Sequence, residues 1–176
     1  MDGITVVDFS MLHFIVYHFR NGFFDEVMPF FSALGNRGVI WIGFAVLFLA
    51  IPRYRKYAPF LLVSICLSFV VGEVVIKPWV CRIRPCNIEI IPMLIARPNS
   101  FSFPSGHSMT SYSAAVFLWN TNRKLGRAAF VIATCIAFSR LYLFVHYPTD
   151  VLVGGLLGGV IGYLTFRLAK MLYKRK

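Results

Sequence analysis

Residues 58–76, APFLLVSICLSFVVGEVVI, form an apolar run whose one charged residue is Glu73 and which ends at Lys77. A bilayer hydrocarbon core of roughly 30 Å asks for about 20 mostly apolar residues per helical span, so this stretch predicts a membrane-crossing helix. Working outward, comparable runs cover about 28–51, 105–121, 128–146 and 150–170. The expected fold is therefore all-α, a polytopic membrane helix bundle with five transmembrane helices. Composition points the same way. The 176 residues are 58% hydrophobic and 14% charged, with mean hydropathy +0.70, whereas soluble domains carry about 25% charged residues. Residues 1–176 thus read as a single integral membrane domain, with no internal repeat and no linker. The N-terminus lacks the basic start and small-residue cleavage site of a signal peptide.

Residues 4–20 are apolar but short, and they carry Asp8, His13, His18 and Arg20. Unpaired ionisable groups are costly inside a bilayer. That favours a helix lying at the outer interface, with a sixth span as the alternative. Gly35-Asn36-Arg37-Gly38 interrupts the first long run. It reads as close helix packing by the glycines, with Arg37 turned toward other helices or the interface.

Net charge is +11, from 18 basic and 7 acidic residues. In a soluble chain that excess would point to nucleic acid. Here much of it sits in short loops, where the positive-inside rule explains it. Arg53-Tyr54-Arg55-Lys56, the 122–127 loop and the C-terminal Lys174-Arg175-Lys176 fall on one side when five spans alternate, and that side is the cytoplasm. Segment 77–104 and the 147–149 turn then share the extracytoplasmic side. The expected setting is the cell membrane, with membrane lipids and a lipid substrate as partners and no nucleic acid.

Three polar clusters gather on that outer side. They are Lys77 with Arg84-Pro85, Pro104-Ser105-Gly106-His107, and Ser139-Arg140 followed by His146 and Asp150. Two guanidinium forks and an ammonium suit a phosphate dianion. Ser105-Gly106-His107 stands where a helix begins, and free N–H groups at a helix N-terminus bind anions. Glycine allows close approach there, and Ser105 can cap the helix or donate to an oxygen. His146 and Asp150 flank Pro148, so the chain turns back between them. A carboxylate on one imidazole nitrogen leaves the other free to attack phosphorus, and His107 can protonate the leaving oxygen. A metal fits poorly. Magnesium or calcium needs several oxygen ligands, and nearby cations oppose zinc on two histidines and an aspartate. Neither metal nor cofactor is expected.

In residue type, spacing and order, Lys77-x6-Arg84-Pro85, Pro104-Ser105-Gly106-His107 and Ser139-Arg140-x5-His146-x3-Asp150 resemble the three-part signature of the type 2 phosphatidic acid phosphatase (PAP2) superfamily. The resemblance spans roughly 60–170. It implies a lipid phosphatase in which His146 forms a phosphohistidine, Asp150 orients it and His107 protonates the leaving group. Lys77, Arg84, Ser105, Gly106 and Arg140 would hold the phosphoryl oxygens. Among its members the chain looks like the small undecaprenyl diphosphate phosphatases. Phosphatases of phosphatidylglycerol phosphate, phosphatidate or lipid A 1-phosphate are alternatives, as is a phosphotransferase.

Several residues stay outside that signature. Glu73, one turn before Lys77, is expected to neutralise and aim that lysine. Arg82 is an additional binding candidate and Arg97 an interface or headgroup residue; both mildly favour a diphosphate. Cys81 and Cys86 stand either as free thiols or as a disulfide across Arg84-Pro85. The run 88–95 either dips into the outer leaflet or packs over the helices. His13 and His18 receive no role.

Overall fold

Apolar runs and the breakers between them set the order of elements. In the computed structural model, which describes residues 3–174, these are α1 (Gly3–Phe19), α2 (Gly22–Gly35), α3 (Val39–Ala50), α4 (Ala58–Phe69), α5 (Lys77–Val80), α6 (Pro85–Ile88), α7 (Gly106–Thr121), α8 (Arg123–Tyr142) and α9 (Pro148–Lys174). No strand occurs among the described residues. A tight turn, Asn36–Gly38, joins α2 to α3, with Arg37 and Gly38 at φ of 52° and 71°. The first long run is therefore a broken helix. A π-helical turn, Val70–Ile76, carries α4 into α5; wide turns of this kind recur at functional sites.

Four segments are long and apolar enough to cross a membrane: Gly22–Ala50, Arg55–Ile88, Arg123–Tyr142 and Pro148–Tyr173. The chain is a multi-pass membrane protein. The stretch expected as a fifth span, 105–121, forms the 16-residue α7, which is shorter than any of those four and rich in serine. Its serines Ser108, Ser111 and Ser113 are fully buried, because α7 is packed among α4, α8 and α9. Ser113 Oγ lies 2.6 Å from Ser64 Oγ, and Trp41 Nε1 donates to Ser111 Oγ at 3.0 Å. Leu152, Leu156 and Val160 of α9 meanwhile point outward and are mostly exposed. Polar and small residues inside with apolar ones outside is how helices associate in lipid.

Gly154, Gly158 and Gly162 bring α9 against the backbone of α7. A Cβ at Gly158 would strike the Met109 carbonyl, and one at Gly162 the Ser113 carbonyl. At the end of the bundle remote from the three clusters, Asn122 Nδ2 donates to the Tyr54 hydroxyl at 2.7 Å. Tyr57 stacks on Phe166 there. The basic loops 53–56 and 122–127 thus share one end with the C-terminal half of α9; Arg175 and Lys176 lie outside the described residues.

At the other end the chain departs from expectation in one place and decides two alternatives that the sequence left open. The helix expected over 128–146 ends at Tyr142, because Phe144 adopts φ of 57° and Pro148 starts α9. A first-turn proline suits that position, and His146 is left in a link between helices. Cys81 and Cys86 are free thiols rather than a disulfide. Cys81 ends α5 at the surface with Sγ on the Pro78 carbonyl, whereas Cys86 of α6 is turned into the core. The run 88–95 takes the packing alternative through Ile91, Met93, Leu94 and Ile95, with Ile90 exposed.

The glycine stripe has a direct consequence. Gly158→Leu is expected to cost about 1–3 kcal/mol or more, read as a lower melting temperature of purified protein in detergent. An unchanged melting temperature would contradict the close α7–α9 contact.

Candidate active site

Lys77, Arg84 and Arg140 come from three different parts of the chain and converge on one cavity of about 1150 Å³. Each is at most 4% exposed. The π-helical turn places Glu73 on the same wall, and Lys77 Nζ donates to Glu73 Oε1 at 2.6 Å. Glu73 thus sits as the partner of Lys77 that its spacing implied. Arg84 is held by the loop ahead of α7. Its Nε donates to the Ser100 carbonyl at 2.7 Å and its Nη2 to Ser100 Oγ at 3.0 Å. Arg140 Nη1 donates to Ser32 Oγ, and its buried Nε has no partner. Three cations faced by one carboxylate leave a clear excess of positive charge in a buried site. Burying charge without compensation costs several kcal/mol per ion. The cavity therefore has the charge and donors that an anion would satisfy.

The two histidines line the same cavity. His146 Nδ1 lies 3.4 Å from Asp150 Oδ2, and its Nε2 lies 3.1 Å from Arg84 Nη1. A guanidinium can only donate, so Nε2 carries the lone pair and Nδ1 the proton. Burial first, and then Arg84, Arg140 and Lys77, hold the His146 imidazole well below its ordinary pKa. A neutral ring with its lone pair toward the anion pocket has the form a nucleophile requires. His107, in the first turn of α7, places Nε2 3.0 Å from Asn36 Oδ1. The break between α2 and α3 explains that contact, because Gly35 there lies so close to the His107 ring that a Cβ would overlap it.

Two of the expected phosphate contacts stand differently from the rest. Gly106 lines the cavity, and a Cβ on it would meet the Glu73 carboxylate, which would have to shift from its place beside Lys77. Ser105 stays behind the cavity and caps α7, its Oγ accepting from Ser108 N at 3.4 Å and Ser108 Oγ at 3.0 Å. Arg82 is not in the cavity. Its fork bridges Asp8 and Asp150, each at 2.6 Å, which takes the place of an anion-binding role. Arg97 and Arg37 line the cavity as exposed residues.

Asp8, Asn36, Ser100 and Ser102 were not singled out from sequence. Each belongs to a stretch with no motif spacing, and three-dimensional proximity alone connects them to the clusters. The polar break at Gly35–Gly38 was the one available signal for Asn36. From the charged end the cavity continues between α3 and α4 along Ile42, Leu62, Ile65 and Phe69. That groove gives apolar lining beside a cationic pocket. Among the described residues, no group of three His, Cys, Asp or Glu side chains converges as a metal-binding cluster.

Residues 57–174, which include all three clusters, match the PAP2 superfamily. The undecaprenyl-diphosphatase of Sulfolobus acidocaldarius is 32% identical over 168 residues, covering 94% of this chain and 79% of that protein. The lipid A 4'-phosphatase of Bacteroides thetaiotaomicron is 30% identical over 172 residues, covering 89% and 76%. Among solved structures, the transmembrane PAP2-type phosphatidylglycerolphosphate phosphatase of Bacillus subtilis aligns with a TM-score of 0.79 at 26% identity, over 97% of this chain and 88% of that one.

The crowding of like charges yields a test that separates binding from folding. Arg140→Gln should weaken inhibition by orthovanadate roughly tenfold or more, the scale of a lost charged hydrogen bond. It should leave the melting temperature of the ligand-free protein unchanged or raised. Unchanged inhibition with a lowered melting temperature would contradict an anion-binding role.

Proposed function

We propose that this chain, which belongs to the PAP2 superfamily, hydrolyses a lipid phosphate or diphosphate through a phosphohistidine on His146, without a metal, at the extracytoplasmic face of the membrane. The observation that carries this reading is the pairing of a pocket with excess positive charge and an apolar groove in one cavity. A phosphate ester of a lipid supplies both halves.

His146 Nε2 attacks phosphorus while Asp150 holds the Nδ1 proton and stabilises the ring as it becomes cationic. The bond from phosphorus to the lipid-side oxygen breaks, and His107 protonates that oxygen as it leaves. Lys77, Arg84, Arg140 and the first-turn N–H groups of α7 hold the phosphoryl oxygens, where fixed donors stabilise developing charge. Water, deprotonated by His107, then attacks the phosphohistidine; the P–N bond breaks and phosphate leaves. Ser105 contributes by capping α7, which keeps Gly106 and His107 in register.

The sidedness follows from charge. The loops 53–56 and 122–127 lie at the end opposite the cavity, and basic loops of this kind stay in the cytoplasm. With α7 counted as a fifth, centrally placed span, the cavity opens outward and the C-terminus is cytoplasmic. α1 then lies at the outer interface, its ionisable Asp8 paired rather than facing lipid.

An undecaprenyl diphosphate is the leading substrate. The undecaprenyl-diphosphatase of S. acidocaldarius supports it, and so do Arg97 and Arg37 beside the pocket, placed to meet a second phosphate. The lipid A and phosphatidylglycerol phosphate enzymes among the relatives favour a monophosphate instead.

The experiment is phosphate release by purified protein across undecaprenyl diphosphate, phosphatidylglycerol phosphate, phosphatidate and lipid A, with and without excess chelator. Turnover of at least one lipid that survives chelation is expected, as is loss of turnover in His146→Asn with vanadate binding retained. Near-normal turnover in His146→Asn would overturn the nucleophile, and activity lost to chelator and restored by a divalent ion would overturn the metal-free route.

A further inference from the structure

Asp8 is an aspartate in the middle of an apolar helix, outside the matched range 57–174, and it is 1% exposed. Both its oxygens are used. Oδ2 accepts from Arg82 Nη2 and from Thr149 Oγ1, each at 2.6 Å, and Oδ1 accepts from the Thr149 amide at 3.1 Å. The other arm of Arg82 donates from Nη1 to Asp150 Oδ1 at 2.6 Å and to Thr149 Oγ1 at 2.7 Å. The guanidinium lies 3.9 Å from the centre of the Tyr147 ring, so its plane is fixed. On the second oxygen of Asp150, Ser102 Oγ and the Tyr147 amide donate at 2.5 and 2.9 Å, and His146 Nδ1 stands at 3.4 Å.

We propose that Asp8 and Arg82 are positioning residues for the nucleophile: α1 holds one arm of Arg82 so that the other arm takes only Oδ1 of Asp150 and stays off Oδ2, which His146 shares with Ser102 and the Tyr147 amide. The inference rests on the reading of His146 as nucleophile and Asp150 as its orienting carboxylate. Its logic is geometric and electrostatic. A planar guanidinium prefers to bind one carboxylate with both arms. Released from Asp8, Arg82 can turn its free arm onto Asp150 and compete with the imidazole for Oδ2. The charge of Asp8 also offsets that of Arg82, so Asp150 keeps its pull on the ring as phosphorylation makes it cationic. Neither Asp8 nor Arg82 lines the cavity, so substrate binding is untouched.

The test uses the full-length protein in detergent with the lipid that the wild type turns over. Asp8→Asn should lower kcat roughly tenfold or more, the scale on which misplaced catalytic groups lose rate, while KM stays within about twofold. In an Asp150→Asn background, followed by residual release of radiolabelled phosphate, Asp8→Asn should cost less than about twofold further, since coupled residues are not additive. Should Asp8→Asn not accumulate as folded protein, Arg82→Lys reads the same link. It keeps the cation, cannot bridge two carboxylates in fork geometry, and is expected to lower kcat with KM unchanged. Wild-type kcat in these variants, a raised KM with unchanged kcat, or the same loss repeated in the Asp150→Asn background would overturn the proposal. If His146→Asn and Asp150→Asn themselves retain turnover, the nucleophile assignment has failed; if they lose it while Asp8→Asn behaves as wild type, only the positioning role has failed.

Discussion

Three cations held out of water, with one carboxylate among them, are the constraint around which this structure is arranged. Lys77 of α5, Arg84 just ahead of α6 and Arg140 of α8 are almost wholly buried, so their mutual repulsion is not relieved by solvent. The protein supports them with neutral oxygens, from Ser32 and Ser100, and with Glu73. Only Lys77 gains a carboxylate partner; the two arginines are left without one. The Nε of Arg140 lacks a hydrogen-bond partner altogether. On the proposed function, a doubly charged phosphate group would relieve both deficits on entering, and the site would trade stability in its empty state for affinity and electrostatic catalysis.

The membrane setting makes this arrangement possible. Many large apolar side chains face outward, while serine, alanine and glycine of α7 and α9 pack inside beside buried aromatics such as Trp41, Phe48 and Phe117. Because α9 lies against α7 through glycines, the α7 N-terminus, the His146 link and Asp150 are brought close together; the Ser105 amide donates to the Asp150 carbonyl at 3.1 Å. The backbone contact that joins α7 to α9 also aligns the α7 N-terminus with the link that carries His146. On the other flank, the broken α2–α3 connection and the π-helical turn open a groove between α3 and α4. Breaks in regular helix are expected where backbone lines a cavity rather than lipid.

Much of this was legible in the sequence, and for physical reasons. Apolar runs of membrane length identified the long helices, and the three clusters carried their chemistry in fixed local spacing. His107, His146, Asp150, Lys77, Arg84, Gly106 and Arg140 accordingly meet in one neighbourhood. The Glu73–Lys77 pair followed from i,i+4 geometry alone. What escaped depends on contacts across the chain. Asp8 looked like a liability in a short apolar helix because its partner, Arg82, is remote in sequence. Arg82 looked like a spare cation for the same reason. Asn36 and Ser100 are single polar residues in turns, with no periodicity to mark them. The end of α8 was misplaced because Leu143, Phe144 and Val145 continue the apolar pattern, while the left-handed conformation of Phe144 stops the helix. The disulfide alternative fell to side-chain direction, which two nearby cysteines do not reveal.

The account turns on a covalent bond between phosphorus and one imidazole, and trapping that bond tests it most directly. Substrate labelled in its terminal phosphate would be mixed with enzyme, quenched in alkali within the first turnover, digested and sequenced by mass spectrometry. The account predicts an acid-labile, alkali-stable phosphate on the peptide that contains His146, and on no other. Product formed at full rate without labelled protein, or label carried by a different residue, would contradict it.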